Sequence, residues 1–139
     1  MKMENKLKFL VIDDNEIDRL VTGRLLKIHL KTVNVHYATT GRDGIEWLKA
    51  NNESVDYMLF ILLDIRMPGM DGFKFLEAIE KLDNRLKKNI NVFMLSSTLN
   101  RDELKRAMCS KYVKRLFIKP LPVKELVDFI PVSQEKSSR

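Results

Sequence analysis

The stretch that decides the fold is Tyr57-Met58-Leu59-Phe60-Ile61-Leu62-Leu63-Asp64, an unbroken apolar run that is closed by an acid. A run this short, with no polar face, is typical of a strand that is buried on both sides of a parallel sheet. It is far shorter than the ~20 residues that a transmembrane helix needs. The run therefore predicts a central strand that ends at the step from Leu63 to Asp64.

Four further segments have the character of strands, and segments with helical spacing separate them. The other predicted strands are residues 9–12, 33–38, 91–95 and 116–118. Helical spacing is clearest in Ile17, Leu20, Val21 and Leu25, which follow a capping residue at Asn15. Strands that alternate with helices predict a parallel sheet with right-handed crossovers and helices on both faces. The sequence thus predicts one α/β domain of the form (βα)5.

The remaining helices are indicated by their stripes and their start signals. Phe75, Leu76, Ile79, Leu82 and Leu86 share one apolar stripe, which predicts a single long helix after the turn around residues 69–72. Shorter helices are predicted at residues 43–50, from residue 100 onward, and from residue 122 to residue 130. The last nine residues, 131–139, are polar and are expected to form a flexible C-terminal tail.

Composition places the chain in an ordinary class. A length of 139 residues fits one domain, and 45% hydrophobic with 32% charged residues is typical of a globular protein. The net charge of +6 would suit acidic partners or nucleic acid. The basic residues are scattered, however, and no recognition-helix motif accompanies them, so neither nucleic acid nor a membrane is expected as a partner.

Cysteine content and the first residues indicate a compartment. Cys109 is the only cysteine, which excludes an internal disulfide and a cysteine-rich metal site. Residues 1–8 alternate charged and apolar side chains and lack the apolar core of a signal peptide. A cytoplasmic location is the expectation.

Polar residues that can carry chemistry follow four of the five predicted strands. They are Asp13 and Asp14 after the first strand, Asp64 after the third, Ser96 after the fourth and Lys119 after the fifth. The carboxyl ends of strands in an open parallel sheet share one edge, where ligands bind. We therefore expect these side chains to converge on one shallow pocket.

The chemistry of such a pocket follows from its charges. Three clustered carboxylates repel one another, and a hard divalent cation relieves that repulsion; few protein oxygens and no nearby His or Cys favour Mg²⁺ over zinc. Lys119 and Ser96 can complement the oxygens of a phosphoryl group, while a carboxylate can accept that group. Asp64, which lies between the other acids and the lysine, is the predicted nucleophile.

Each of these residues also has an ordinary structural interpretation. Asp13 and Asp14 alone would be read as a helix-start pair, Ser96 as a strand-end hydroxyl and Lys119 as a solvated lysine. Their occurrence together at four strand ends favours a functional site.

Four motifs, in order and each at a strand end, resemble the receiver domains of two-component response regulators, the CheY-like superfamily. They are Val11-Ile12-Asp13-Asp14-Asn15, Leu62-Leu63-Asp64-Ile65-Arg66-Met67-Pro68-Gly69-Met70-Asp71-Gly72, Met94-Leu95-Ser96-Ser97 and Ile118-Lys119-Pro120. The resemblance runs from about residue 8 to residue 130. It implies a doubly wound, flavodoxin-like fold with strand order 2-1-3-4-5, and a stand-alone receiver domain over residues 1–130.

The resemblance also implies roles for individual residues. They are Asp64 as phosphoacceptor, Asp13, Asp14, Asp64 and the backbone carbonyl of Arg66 as Mg²⁺ ligands, Ser96 and Lys119 as partners of the phosphoryl group, and a cis peptide bond at Lys119-Pro120. The switch region would comprise Leu116, Ser97 and Thr98, and the lifetime of the phosphoryl group would depend on Arg66 and Thr98. Leu116 departs from the family, which usually has Tyr or Phe there, and this puts the usual aromatic switch in doubt.

The implied function is signalling. A sensor histidine kinase or a histidine phosphotransfer protein would supply the phosphoryl group. The output would be altered contact with a downstream protein, through the last two helices and the fifth strand, or a phosphorelay. The domain would catalyse its own phosphorylation and dephosphorylation without being a turnover enzyme.

Three alternatives stay open at this point. Leu116 motivates a phosphorylation-independent binding module on the same fold. A metal-dependent phosphohydrolase would lack the second acid of its usual loop, because Arg66 stands there, and would lack a cap domain. DNA binding is suggested by the basic charge but lacks a helix-turn-helix segment.

Overall fold

The computed structural model describes residues 7–31, 34–51 and 57–131. Within these ranges strands and helices alternate, except that two helices follow the third strand, and a 3₁₀ turn at Val127–Phe129 follows the last helix. The elements are β1 (Leu7–Ile12), α1 (Glu16–Leu30), β2 (Asn34–Ala38), α2 (Gly41–Ala50), β3 (Met58–Asp64), α3 (Gly72–Glu80), α4 (Asn84–Lys87), β4 (Ile90–Ser96), α5 (Arg101–Met108), β5 (Val113–Ile118) and α6 (Val123–Leu126). None of the helices in these ranges has the length and apolarity that crossing a bilayer requires.

The five strands form one parallel sheet in the order β2-β1-β3-β4-β5, so the predicted doubly wound topology is confirmed. The central position belongs to β3, the apolar run of the sequence, and six of its seven residues are buried. The register aligns Ile12 with Leu63 and Asp64 with Leu95. The carboxyl ends of β1, β3 and β4 therefore finish level at one edge of the sheet.

The core has two parts, one on each face of the sheet. Alternate residues of β3 belong to different parts: Leu59, Ile61 and Leu63 pack towards α2 and α3, whereas Phe60 and Leu62 pack towards α1 and α6. On the second face four phenylalanine rings stack in sequence, at centroid distances of 5.2, 6.3 and 5.9 Å for Phe9–Phe60, Phe60–Phe93 and Phe93–Phe117. Burial of each side chain of this size contributes roughly 1.5–3 kcal/mol to the stability of the fold. The sheet therefore holds the loops at its edge in fixed positions.

The prediction of a single long helix after Gly72 is wrong, because the structure has two shorter helices there. The helix ends at Glu80, because the N–H groups of Lys81 and Leu82 donate to carbonyls only three residues back, at 3.1 and 3.0 Å. The short helix α4 then starts under a new cap, in which Asp83 Oδ1 accepts from the N–H of Arg85 at 3.3 Å. Leu82 and Leu86 still pack against the core, which explains why the apolar stripe continued through a break in the helix.

Two other elements differ from their predictions. Strand β5 begins at Val113, three residues earlier than predicted, because the exposed Lys114 and Arg115 hide its start in the sequence. The last helix is one turn long and is followed by the 3₁₀ turn. Position 33 of the second predicted strand and residues 132–139 of the predicted tail lie outside the described residues.

Candidate functional site

Three carboxylates meet at the edge of the sheet where the strands end. Asp13 follows β1 directly and Asp64 is the last residue of β3. Carboxylate oxygens of Asp13, Asp14 and Asp64 all lie within 4.8 Å of one another. Asp13 is 1% and Asp64 6% exposed, whereas Asp14 is exposed to solvent. The structure thus brings together the three acids that the sequence predicted would converge.

Lys119 holds these acids together. Its Nζ lies 2.9 Å from Asp13 Oδ2, 2.9 Å from Asp18 Oδ2 and 3.3 Å from Asp64 Oδ1. The backbone N–H of Lys119 donates to the carbonyl of Ser96 at 2.8 Å, and the Lys119–Pro120 peptide bond is cis, the isomer that the resemblance implies. The sequence analysis did not single out Asp18, an acid in the first turn of α1.

Burial and neighbouring charges set the ionisation of the two central groups. Burial raises the pKa of Asp64 to about 6, repulsion from Asp13 and Asp14 acts in the same direction, and Lys119 opposes both. Burial alone would lower the pKa of Lys119, but close contacts with Asp13 and Asp18 outweigh it and raise that pKa above its ordinary value. Lys119 is therefore a permanent cation in the pocket.

The acidic cluster has the features of a site for a hard cation. Asp13 Oδ1 accepts a hydrogen bond from the N–H of Asn15 at 2.9 Å, and its buried Oδ2 is ion-paired with Lys119 Nζ at 2.9 Å. Lys119 does not remove the repulsion among the acids, since Asp13 and Asp14 still raise the pKa of Asp64, and a divalent cation would relieve it. All the ligand atoms that the cluster offers are carboxylate oxygens, the donors that Mg²⁺ prefers. These residues fit Mg²⁺.

Ser96 is at the pocket, but its hydroxyl is engaged locally. The side chain is buried, its Oγ donates to the carbonyl of Thr98 at 2.7 Å, and the N–H of Thr98 donates back to Oγ at 3.3 Å. Ser97 and Thr98 are both exposed. Ser96 must rotate away from Thr98 before it can donate to a bound group.

Arg66 turns towards a helix that is remote in sequence. Its Nη2 lies 2.9 Å from Oε2 of Glu103, in the first turn of α5, and the arginine side chain is 53% exposed. No motif in the sequence signalled this ion pair. Around the pocket an open depression of ≈ 280 Å³ is lined by Asp14, Asn15, Asp18, Asp64, Arg66, Ser96, Ser97 and Lys119.

Leu116 lies apart from this depression. It is half-buried and packs against the core on the face that carries α2 and α3, whereas its neighbour Phe117 is buried in the core of the opposite face. Leu116 is therefore not among the residues that line the depression.

The backbone at Asp64 is closely packed against the start of α3. The N–H of Gly72 donates to the carbonyl of Ile65 at 2.8 Å. A Cβ at position 72 would lie 3.0 Å from the carbonyl oxygen of Asp64 and 3.0 Å from the Cα of Ile65. Position 72 therefore has room only for glycine unless the backbone of Asp64 and Ile65 moves.

Comparison with known proteins identifies the family. A family model described as the response regulator receiver domain matches residues 9–131. The chain belongs to this family. It is a receiver domain of two-component systems, and phosphorylation and Mg²⁺ are features of such domains. The receiver family acts in signal transduction and is not a family of classical turnover enzymes.

Individual relatives agree with the family model. The receiver domain is 32% identical over 123 residues to "Chemotaxis protein CheY" of Treponema pallidum, covering 88% of this chain and 79% of that protein. It is 31% identical over 124 residues to "Hybrid signal transduction histidine kinase G" of Dictyostelium discoideum, covering 87% of this chain but only 3% of the kinase. The match to the kinase thus concerns one small part of a much longer protein.

A solved structure shows the same fold. The response regulator receiver protein of Dyadobacter fermentans superposes with a TM-score of 0.81 at 26% identity, covering 92% of this chain and 98% of that one. The receiver fold is therefore common to both proteins.

Proposed function

We propose that this receiver domain accepts a phosphoryl group on Asp64, with Mg²⁺ bound at the acidic cluster, and signals by changed protein contacts or by phosphorelay. The observation that carries the proposal is the position of the Asp64 carboxylate, which lies 3.3 Å from the ammonium group of Lys119 and within 4.8 Å of two other acids. An acid so placed has a cation beside it and an open depression in front of it.

In the proposed reaction, an oxygen of the Asp64 carboxylate attacks the phosphorus of the donor. A new P–O bond forms, and the bond between phosphorus and the donor's leaving group breaks. Lys119 lies beside this carboxylate and neutralises part of the added negative charge. Ser96 donates its hydroxyl to a phosphoryl oxygen once it has left the carbonyl of Thr98.

The metal ligands in this proposal are Asp13, Asp14, Asp64 and the backbone carbonyl of Arg66. Bound Mg²⁺ would screen the three carboxylates from one another and neutralise charge on the phosphoryl oxygens. The carboxylate oxygens of Asp13, Asp14 and Asp64, which lie within 4.8 Å of one another, support the carboxylate part of this set.

The proposed donor is a sensor histidine kinase or a histidine phosphotransfer protein. The similarity to a segment of a hybrid signal transduction histidine kinase supports a donor of this class. The proposed output surface comprises α5, β5 and α6, which present the exposed apolar side chains Leu104, Met108 and Ile118. A cytoplasmic location and a downstream protein partner are parts of the same proposal.

Incubation with acetyl phosphate and Mg²⁺, followed by intact-mass measurement, tests the phosphoacceptor. One phosphate adduct is expected on the wild-type protein and none on Asp64→Asn. Asp102→Asn is the matched control, because Asp102 is an exposed acid that does not line the depression, and it should form the adduct normally. An adduct that survives Asp64→Asn would overturn the assignment.

A second candidate is a binding module that does not need phosphate. This candidate is favoured by Leu116, which has no aromatic ring and does not line the depression, and by the local bonding of Ser96. Titration with beryllofluoride and Mg²⁺, observed by amide resonances, separates the two candidates. Resonance shifts in β4 and α5 support the phosphoryl switch, whereas spectra without change support the constitutive module.

A further inference from the structure

Arg66 and Glu103 connect the loop of the phosphoacceptor to helix α5. Arg66 is two residues beyond Asp64, while Glu103 is in the first turn of α5, where its backbone N–H also donates to the capping side chain of Asn100 at 3.1 Å. The 2.9 Å ion pair between them thus bridges two segments that are separated by 37 residues. A change in the position of Arg66 would therefore alter this contact at the start of α5.

Arg66 is the ion-pair partner of Glu103. The Glu103 side chain is 18% exposed, and its Oε1 is buried without a hydrogen bond. Among the described residues, Arg66 is the cation that lies within ion-pair distance of Glu103. A largely buried carboxylate that loses its cation is unfavourable until water reaches it. Departure of Arg66 therefore drives the first turn of α5 to open towards solvent.

A phosphoryl group on Asp64 would compete with Glu103 for the guanidinium group. Arg66 and Asp64 line the same depression. A phosphoryl group carries about two negative charges and three acceptor oxygens, and the planar guanidinium group matches such oxygens with paired hydrogen bonds. The arginine side chain is 53% exposed to solvent, so it can change partners without disrupting the core.

We propose that Arg66 leaves Glu103 for the phosphoryl group when Asp64 is phosphorylated, and that loss of this ion pair releases the first turn of α5. The inference rests on the proposed function, because it needs phosphorylation of Asp64. It deepens that function by giving the chain a connection from the acceptor to α5 that does not use an aromatic side chain at position 116. Glu103 is thus a positioning residue for Arg66.

Hydrogen exchange in the unmodified protein tests the tether itself. Glu103→Gln and Arg66→Gln should each speed amide exchange of residues 100–108 by about fivefold, the scale on which a half-exposed ion pair stabilises a helix end. The control is Glu80→Gln, which weakens the contact of Glu80 with Lys87 at the opposite edge of the sheet and should leave exchange in α5 unchanged. Exchange in α5 that is equal in Glu103→Gln and wild type would overturn the tether.

The same measurement on phosphorylated protein tests the release. The wild-type protein, once its single adduct has been confirmed by mass, should exchange the amides of residues 100–108 as fast as unmodified Glu103→Gln does. Phosphorylation of Glu103→Gln should not speed this exchange further. An adduct with unchanged exchange in α5 overturns the release while leaving the phosphoacceptor intact. Absence of any adduct overturns the proposed function and the release with it.

A rate measurement distinguishes positioning from a merely structural role. Because Glu103→Gln frees Arg66 for the incoming dianion, it should raise the rate of phosphorylation by acetyl phosphate severalfold. In an Arg66→Gln background the same substitution should have no effect on that rate. Equal effects of Glu103→Gln in the two backgrounds would contradict the proposed exchange of partners.

Discussion

The ammonium nitrogen of Lys119 lies 3.3 Å from Oδ1 of Asp64. Lys119 follows β5 and Asp64 ends β3, and strand β4 lies between these two strands in the sheet. The same nitrogen contacts Asp13 and Asp18 at 2.9 Å. One cation thus serves three carboxylates, two of which belong to different strand ends. Most of the behaviour expected of the site follows from this shared cation.

Removal of the Lys119 charge should destabilise the metal-free protein. Lys119→Met leaves two buried acids facing each other without a cation, and breaking a buried ion pair costs a few kcal/mol. We expect the free energy of unfolding, measured with urea at neutral pH without divalent ions, to fall by about 2 kcal/mol. Lys124→Met, which removes an exposed lysine of α6, is the control and should change little. Wild-type stability in Lys119→Met would show that the acids do not depend on this lysine.

Mg²⁺ should stabilise the folded protein through the acidic cluster. A ligand at about 100 times its dissociation constant stabilises the folded state by about 2.7 kcal/mol, which thermal unfolding would report as a higher Tm. Asp14→Asn should lose most of this gain, because Asp14 is the exposed member of the cluster and its removal leaves the core intact. Glu77→Gln on α3 provides a control with an exposed acid. An equal gain in Asp14→Asn would exclude Asp14 as a ligand.

Much of this architecture could be predicted from the sequence. The apolar run that ends at Asp64 specified the central strand, since a strand buried on both faces has no polar positions. The break between α3 and α4 could not be predicted, because Leu82 and Leu86 face the core from non-helical and helical backbone alike. Periodicity reports which side chains are buried and does not report the hydrogen bonds that end a helix.

The site was predictable only in part. Residues at strand ends converge because the topology requires it, so Asp13, Asp64 and Lys119 could be grouped in advance. Asp18 and Glu103 could not, because each reaches its partner from the first turn of a helix, where acids are common for reasons of capping and helix dipole. Their contacts with Lys119 and Arg66 depend on side-chain directions that sequence spacing does not encode.

His36 should make stability depend on pH. Its ring is half-buried, 5.0 Å from the ring of Trp47, and Nε2 is buried without a hydrogen bond. Burial lowers the pKa of His36 below its usual 6.5, and the charge of Lys8 acts in the same direction. The unfolded chain therefore binds the proton more readily, so this contribution to stability is complete above pH 6.5 and is lost as the pH falls towards the pKa of the folded state.

Urea unfolding above and below pH 6.5 measures this contribution. His36→Phe, which keeps a ring against Trp47, should reduce the loss of stability on acidification. His29→Gln changes the other histidine, which is exposed on α1, and should keep the wild-type dependence on pH. A pH dependence in His36→Phe as steep as in the wild type would contradict the prediction.

Leu116 should matter for stability and not for phosphoryl transfer. Truncation of a fully buried leucine costs 2–5 kcal/mol, so we expect about 1–2 kcal/mol for Leu116→Ala, which is only half-buried. The rate of phosphorylation by acetyl phosphate should stay within about twofold of wild type, because Leu116 does not line the depression. A large loss of rate in a folded variant would show that position 116 is coupled to the acceptor despite lacking an aromatic ring.

The close approach of Gly72 to the backbone of Asp64 and Ile65 divides the neighbourhood of the acceptor into a fixed side and an adjustable one. Any side chain at position 72 would push on the strand end that carries Asp64, so engineering there would misalign the reactive oxygen itself. The side chains of Arg66 and Thr98 are exposed at the same edge, so substitution there does not press on that strand end. Under the proposed function, a designer who wishes to retune the timing of the signal would therefore vary these two positions and leave the glycine untouched.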